Sequence, residues 1–119
     1  MSPKSNYLNF LKLNEKKLNL PDVTVVVAFY KFFEVRDIIA LQNSLKSIFN
    51  DTKIKGTILI AKEGVNATIA GKKDEISVAL EKLWSIDYLI DLEPKYSFAF
   101  KNPFFRMKIS YRAWFPFRE

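Results

Sequence analysis

A short stretch in the middle of the chain, Lys62-Glu63-Gly64-Val65-Asn66, places a cationic, a carboxylate and an amide side chain around one glycine. Glycine readily adopts a positive φ, so the stretch predicts the turn of a β-hairpin that presents these side chains at one end of a sheet. Such a turn could contact the phosphates or ribose of RNA. It could equally be structural, with Gly64 present for its φ and Asn66 for a turn hydrogen bond.

Two other groups of basic residues could bind an anion. Lys72 and Lys73 precede a predicted helix, whose first backbone N–H groups attract phosphate, although two solvated lysines in a loop would have the same sequence. Arg106 and Lys108 alternate with apolar residues, so a strand at that position would have one basic and one apolar face. The basic face would suit either contact with RNA or a plain solvated edge.

The residue types that the chain lacks exclude most catalytic chemistry. It has no Cys and no His, which removes thiolate nucleophiles, disulfides, imidazole bases and the usual zinc ligands. Glu63 has no visible acid, metal or His to tune it as a general base, and no glycine-rich, Arg-bearing phosphate loop accompanies the first predicted strand. We therefore expect no catalytic residue, no metal and no cofactor, and interpret the chain as a binding or accessory module.

Composition places the chain among small single domains. Its 119 residues are 49% hydrophobic, enough for one core. Nineteen Lys and Arg against thirteen Asp and Glu give a net charge of +6, which suits an anionic partner such as RNA, DNA or a phosphorylated ligand, or merely promotes solubility. No apolar run is long enough to span a membrane. The lack of Cys fits a reducing compartment, so we expect a cytoplasmic protein with no membrane partner.

The elements that must position the candidate residues follow from hydrophobic periodicity. The predicted order is a strand at 23–30, a helix at 35–49, a strand at 54–61, its hairpin partner at 64–71, a helix from an N-cap at Asp74 to Trp84, a strand at 96–100 and an extended segment at 104–109. This order predicts an α+β, ferredoxin-like βαββαβ domain, in which an antiparallel sheet carries both helices on one face. We assign residues 1–22 to an arm or short helix, 23–109 to the domain and 110–119 to an aromatic tail.

Two motifs carry a resemblance to a known family. The stretch from Gly56 to Gly71 and the stretch from Pro103 to Ile109 resemble the signature of the rhodanese-related tRNA uridine hydroxylases, with a further likeness around Val26–Phe32. The resemblance implies the N-terminal domain of that family, with an acylphosphatase-like or ferredoxin-like fold, ahead of a rhodanese domain that carries a reactive Cys. Members of the family are associated with oxygen-dependent hydroxylation of the wobble uridine of bacterial tRNA.

The resemblance ends before the tail, where the family continues with a Lys-rich stretch and this chain has Ser110–Glu119 instead. An early stop, a split gene, a frameshift or natural divergence would each produce that ending. The resemblance implies a part of the enzyme, so we expect a non-catalytic domain that binds tRNA or positions a substrate. The alternative is a protein-interaction module or orphan fragment, which pairs with itself or with a separately encoded rhodanese domain through the tail. A fragment without function is a third interpretation.

Overall fold

The computed structural model describes residues 2–113, so residues 114–119 of the predicted tail lie outside the described residues. The strands of this part are β1 (Val23–Phe32), β2 (Lys55–Ala61), β3 (Gly64–Gly71), β4 (Lys95–Phe100) and β5 (Met107–Tyr111). The helices of this part are α1 (Pro3–Leu13), α2 (Glu15–Leu18), α3 (Ile38–Phe49) and α4 (Lys73–Trp84), followed by a single 3-10 turn at Asp87–Leu89.

The strands form one sheet in the order β4-β1-β3-β2-β5. Each neighbouring pair among β1–β4 is antiparallel, which confirms the predicted ferredoxin-like plan. The sheet as a whole is mixed, because β5 adds to the far edge parallel to β2. This fifth strand comes from the extended segment that the sequence predicted at 104–109 but did not pair with another strand. The connection at 101–106 reverses the direction of the chain after β4. As a result β5 is antiparallel to β4 and parallel to β2.

The core lies between the helices and one face of the sheet. Alternate strand residues point to opposite faces, and those on the helix side are aliphatic and buried, as Val25, Val27 and Ile69 show. Leu45 of α3 and Leu80 of α4 are also fully buried and complete this layer. Burial of one such side chain contributes about 1.5–3 kcal/mol, so this side of the sheet determines the stability of the domain.

The N-terminal segment is helical and packs on the same layer. Ser2 caps α1 by accepting a hydrogen bond from the Ser5 amide at 3.1 Å. Tyr7 of α1 is buried and its hydroxyl is 2.6 Å from Ser77 Oγ of α4. Leu18 of α2 joins the core cluster. The segment 1–22 thus contributes two helices that contact the ferredoxin-like domain.

Several predicted boundaries shift. The helix predicted from residue 35 begins at Ile38, because Asp37 is its N-cap and accepts a hydrogen bond from the Ala40 amide at 2.9 Å. Asp74 lies in the first turn of α4, and Lys72 holds the N-cap position that the sequence assigned to Asp74. β5 begins at Met107, later than predicted, and its last two residues belong to the segment assigned to the tail.

Two further observations concern the described residues alone. None of the helices between residues 2 and 113 has the length and apolar character needed to cross a membrane. Within the same part of the chain, no group of three or more His, Cys, Asp or Glu residues is arranged to hold a metal ion.

Candidate nucleic-acid interface

The face of the sheet that points away from the helices carries hydroxyl, amide and lysine side chains among small and apolar ones, and we call it the open face. Strand register assigns its positions: Tyr30 pairs with Asn66, and Thr57 pairs with both Thr68 and Lys108. Residues paired directly across strands point to the same face. No Asp or Glu occupies an open-face position of the five strands, all of which lie in the described part of the chain.

A depression of about 310 Å³ lies on the open face over β3, β2 and β5. Its polar lining consists of Thr57, Asn66, Thr68, Lys108, Ser110 and Arg112. The two cations, three hydroxyls and one amide can donate hydrogen bonds to phosphate oxygens, and the hydroxyl and amide oxygens can accept them from ribose hydroxyls. Lys108 and Arg112 are both exposed, so their charges are available to an incoming anion.

A second depression, of about 270 Å³, adjoins the first over β1, β3 and β4. The two share Asn66, Ala67 and Thr68 in their linings, and the second adds Tyr30 and Lys95. Glu93 also lines it, just before β4, and is the one carboxylate among its described lining residues. The two depressions are therefore adjacent on the open face, with Lys108 and Arg112 toward one edge of the sheet and Lys95 toward the other.

The predicted hairpin turn is confirmed, and its glycine is required by the backbone. Gly64 has φ +146°, and a Cβ on it would lie 2.0 Å from the Lys31 carbonyl oxygen. The two turn residues hold the chain that follows β1: the Glu63 carbonyl accepts a hydrogen bond from Phe33 N at 3.1 Å, and the Lys62 carbonyl from Val35 N at 2.9 Å. The backbone of this turn thus has a structural role.

The structure divides the predicted site residues among four places, the last of which holds Lys72 and Lys73. Asn66 and Lys108 come together in the first depression, and Arg106 is exposed one residue before β5. Lys62 and Glu63 instead line a wide groove of about 730 Å³ at the turn, beside Phe32 and the segment that leads to α3.

Lys72 and Lys73 are not part of either depression. Lys72 Nζ donates hydrogen bonds to the carbonyl oxygens of Pro21 and Val23, and Lys73 Nζ donates to Asn19 Oδ1 at 2.7 Å. Both ammonium groups therefore bind the segment that joins α2 to β1. This arrangement gives the two lysines a structural contact that the sequence did not reveal.

The sequence prediction missed Arg112, Lys95, Thr57, Thr68 and Ser110 on the open face. A signal was present, because Lys108, Ser110 and Arg112 alternate at a spacing of two, which continues the basic strip beyond the predicted end of the strand. The prediction that Phe105 and Met107 form an apolar face opposite the basic residues is confirmed for only one of the two. Met107 contacts the core cluster, but Phe105 precedes the strand and is 98% exposed.

Comparison with known proteins identifies the class. The model of the UPF0176 acylphosphatase like domain matches residues 24–114. The chain therefore belongs to this family, as its motifs and fold predict.

Its relatives carry a functional name. The chain is 42% identical over 85 residues to the tRNA uridine(34) hydroxylase of Acaryochloris marina, a match that covers 71% of this chain and 27% of the relative. It is 38% identical over 84 residues to the protein of the same name from Caulobacter vibrioides, with the same coverage of 71% and 27%. The chain thus spans about a quarter of the length of these relatives. A solved structure of full-length HypF aligns with 78% of this chain and 13% of its own, at 11% identity and a TM-score of 0.48.

Proposed function

We propose that this domain is a non-catalytic tRNA-binding module that positions tRNA through the open face of its sheet. The observation that carries the proposal is the grouping of Lys108 and Arg112 with Asn66 and three hydroxyl side chains in one depression. Phosphate contacts from cations supply most of the affinity of such interfaces, and neutral polar side chains orient the backbone.

The relatives support tRNA as the anionic partner. Proteins named tRNA uridine(34) hydroxylase contain a region that is 38% or 42% identical to this chain. Because that region is 27% of each relative, the hydroxylation named there is an activity of much longer proteins. A chain without Cys or His is suited to binding and orienting the substrate, with the chemistry supplied by another part of the enzyme. We place this role in the cytoplasm, where tRNA is modified.

A binding titration at several salt concentrations tests the proposal. Labelled tRNA is titrated with the protein and anisotropy is recorded; binding should weaken steeply as salt rises, because each neutralised phosphate releases counterions. The double variant Lys108→Gln/Arg112→Gln should bind more weakly and flatten the slope of log K against log salt by about two. Lys46→Gln, which removes one exposed cation from α3, is the matched control and should change the slope little.

The outcomes separate cleanly. Absence of tRNA binding by the wild-type domain at low salt would contradict the proposed function. Equal loss of affinity in the Lys46 control and in either single open-face variant, Lys108→Gln or Arg112→Gln, would mean that net charge matters and that the open face does not.

A second candidate function, pairing with another protein chain, is favoured by the turn end of the sheet. There the groove beside Phe32 and Phe33 is lined by both apolar and charged side chains, and Lys62 N donates to the carbonyl of Ala113, the last described residue, at 3.5 Å. We propose self-association at this end as the alternative. Removal of residues 114–119, which leaves β5 complete, should then reduce the molar mass measured by light scattering from that of an oligomer to that of one chain. The same number of chains per particle before and after the deletion would rule this alternative out.

A further inference from the structure

Phe105 lies in the connection between β4 and β5 and is 98% exposed, more than any other large apolar side chain among the described residues. Scattered apolar side chains are common on protein surfaces, but most retain some contact with their neighbours. A phenyl ring with nearly all of its surface in water gains no stability for the fold. Its two faces are therefore available to a planar ligand.

The connection that carries Phe105 is held in one conformation by hydrogen bonds on both sides. Asn102 Nδ2 donates to the Ala70 carbonyl at 2.8 Å, and Asn102 Oδ1 accepts from the Phe104 amide at 2.9 Å. On the far side, Gly56 N donates to the Arg106 carbonyl at 3.0 Å. Because the backbone is fixed before any ligand arrives, a contact through Phe105 would cost little conformational entropy.

The sequence on either side of Phe105 is cationic. The stretch 100–108 contains Lys101, Arg106 and Lys108 and no Asp or Glu. Lys101 and Arg106 are exposed, and Lys108 lines the depression on the open face. An exposed aromatic ring among cations is the combination that binds single-stranded nucleic acid, where bases stack on the ring and phosphates meet the charges. Within this stretch the absence of carboxylates favours a polyanion over a protein partner of mixed charge; the exposed Asp22, whose carbonyl accepts a hydrogen bond from Lys101 N, lies beside its first residues.

We propose that Phe105 stacks on an unpaired nucleobase of the RNA bound to the open face, with Arg106 and Lys108 on the adjacent phosphates. This inference rests on the proposed tRNA binding and adds the class of RNA segment. A base within a duplex has both faces covered by its neighbours, so the segment at this end of the sheet must contain at least one unstacked base.

The test compares Phe105→Ala with Phe105→Trp in titrations of tRNA and of a short single-stranded oligoribonucleotide. Loss of one stacked base should weaken binding about 5- to 150-fold in the Ala variant, and the Trp variant should bind as well as the wild type or better. The salt slope of Phe105→Ala should equal that of the wild type, because the ring neutralises no phosphate. Arg106→Gln should instead flatten the slope by about one.

Leu13→Ala, which trims a side chain that is 76% exposed on α1, is the matched control and should bind as the wild type does. Wild-type affinity in Phe105→Ala would overturn the inference and leave the proposed function standing. Absence of RNA binding by the wild type and by every variant would overturn the proposed function itself. Full rescue by Phe105→Leu would show apolar contact in place of stacking and would also overturn the inference. A Phe105-dependent binding to phosphatidylglycerol vesicles, with tRNA binding unchanged in Phe105→Ala, would assign the ring to a lipid surface instead.

Discussion

The two faces of the sheet are built from the same five strands but differ in burial and in the polar groups that they carry. On the helix side, Val25, Val27 and Ile69 are fully buried. On the open face, Lys95 and Lys108 are exposed and Thr68 is half-buried. Because alternate residues of a strand point to opposite faces, a strand can line the core with one set of residues and the solvent-facing surface with the other. The comparison shows that stability depends on one face, which leaves the side chains of the other free to bind a ligand.

The strongest test of this comparison is a pair of substitutions at neighbouring positions of β3. Ile69→Ala should lower the free energy of unfolding by about 2–5 kcal/mol, because it leaves a cavity in the core. Thr68→Ala, one residue away on the open face, should change it by less than about 1 kcal/mol. Urea titrations followed by circular dichroism measure both. Similar losses in the two variants would mean that the open face also supports the fold.

The turn that joins β2 and β3 fixes the register between these two strands, so a change at its glycine should affect both faces of the sheet. Gly64→Ala should cost at least about 2 kcal/mol, because φ is positive and the added Cβ would clash with the Lys31 carbonyl. Lys62→Ala in the same turn is the control and should stay within about 0.5 kcal/mol of the wild type. Equal unfolding midpoints for Gly64→Ala and the wild type would show that the turn is free to adjust.

Tyr7 of α1 and Tyr96 of β4 contact each other between the helices and the sheet, and their hydroxyls differ. Tyr7→Phe removes the hydrogen bond with Ser77 Oγ at 2.6 Å and should cost about 1 kcal/mol. Tyr96 Oη is buried and no described residue bonds to it, so Tyr96→Phe should leave stability unchanged or raise it. Thermal unfolding of the two variants checks the order. A larger loss in Tyr96→Phe would reveal a partner for that hydroxyl.

The same tyrosines predict a smaller effect of alkaline pH. Burial raises the pKa of Tyr7 above its usual 10.0, against the opposing effect of the Ser77 hydrogen bond, and burial likewise raises the pKa of Tyr96. An unfolded tyrosine ionises near pH 10 while the folded one stays neutral, so the stability is complete below about pH 10 and falls as pH rises beyond it. The double variant Tyr7→Phe/Tyr96→Phe should lose less stability than the wild type between about pH 9 and about pH 11. Parallel losses would contradict this assignment.

Much of the fold was predictable from local pattern. The β-branched run that begins at Val23 indicated a buried strand, and Gly64 indicated the turn, since both signals depend on residues close in sequence. The parallel addition of β5 to β2 was not predictable in this way. It depends on where the connection at 101–106 crosses the end of the sheet, which hydrogen bonds between Asn102 and Ala70, and between Gly56 and Arg106, determine.

The candidate site was predictable only in part. Lys108 and Asn66 were found because each belongs to a conspicuous local motif, but their meeting with Arg112 requires the pairing of three strands. Lys72 and Lys73 were expected in solvent or on an anion, and their contacts with Pro21 and Asn19 arise from the packing of the N-terminal segment. The exposure of Phe105 was hidden as well, because an apolar residue beside a strand predicts burial.

Mapping of tRNA onto the two faces by amide chemical shifts tests the central claim most directly. Spectra of labelled protein are recorded with and without tRNA at low salt. We expect shifts and line broadening at Thr57, Thr68 and Lys108 on the open face and at Phe105, with Leu45 and Leu80 of the helix layer unchanged. Perturbations confined to the helices, or none at any residue, would contradict the assignment of the open face as the surface that binds tRNA.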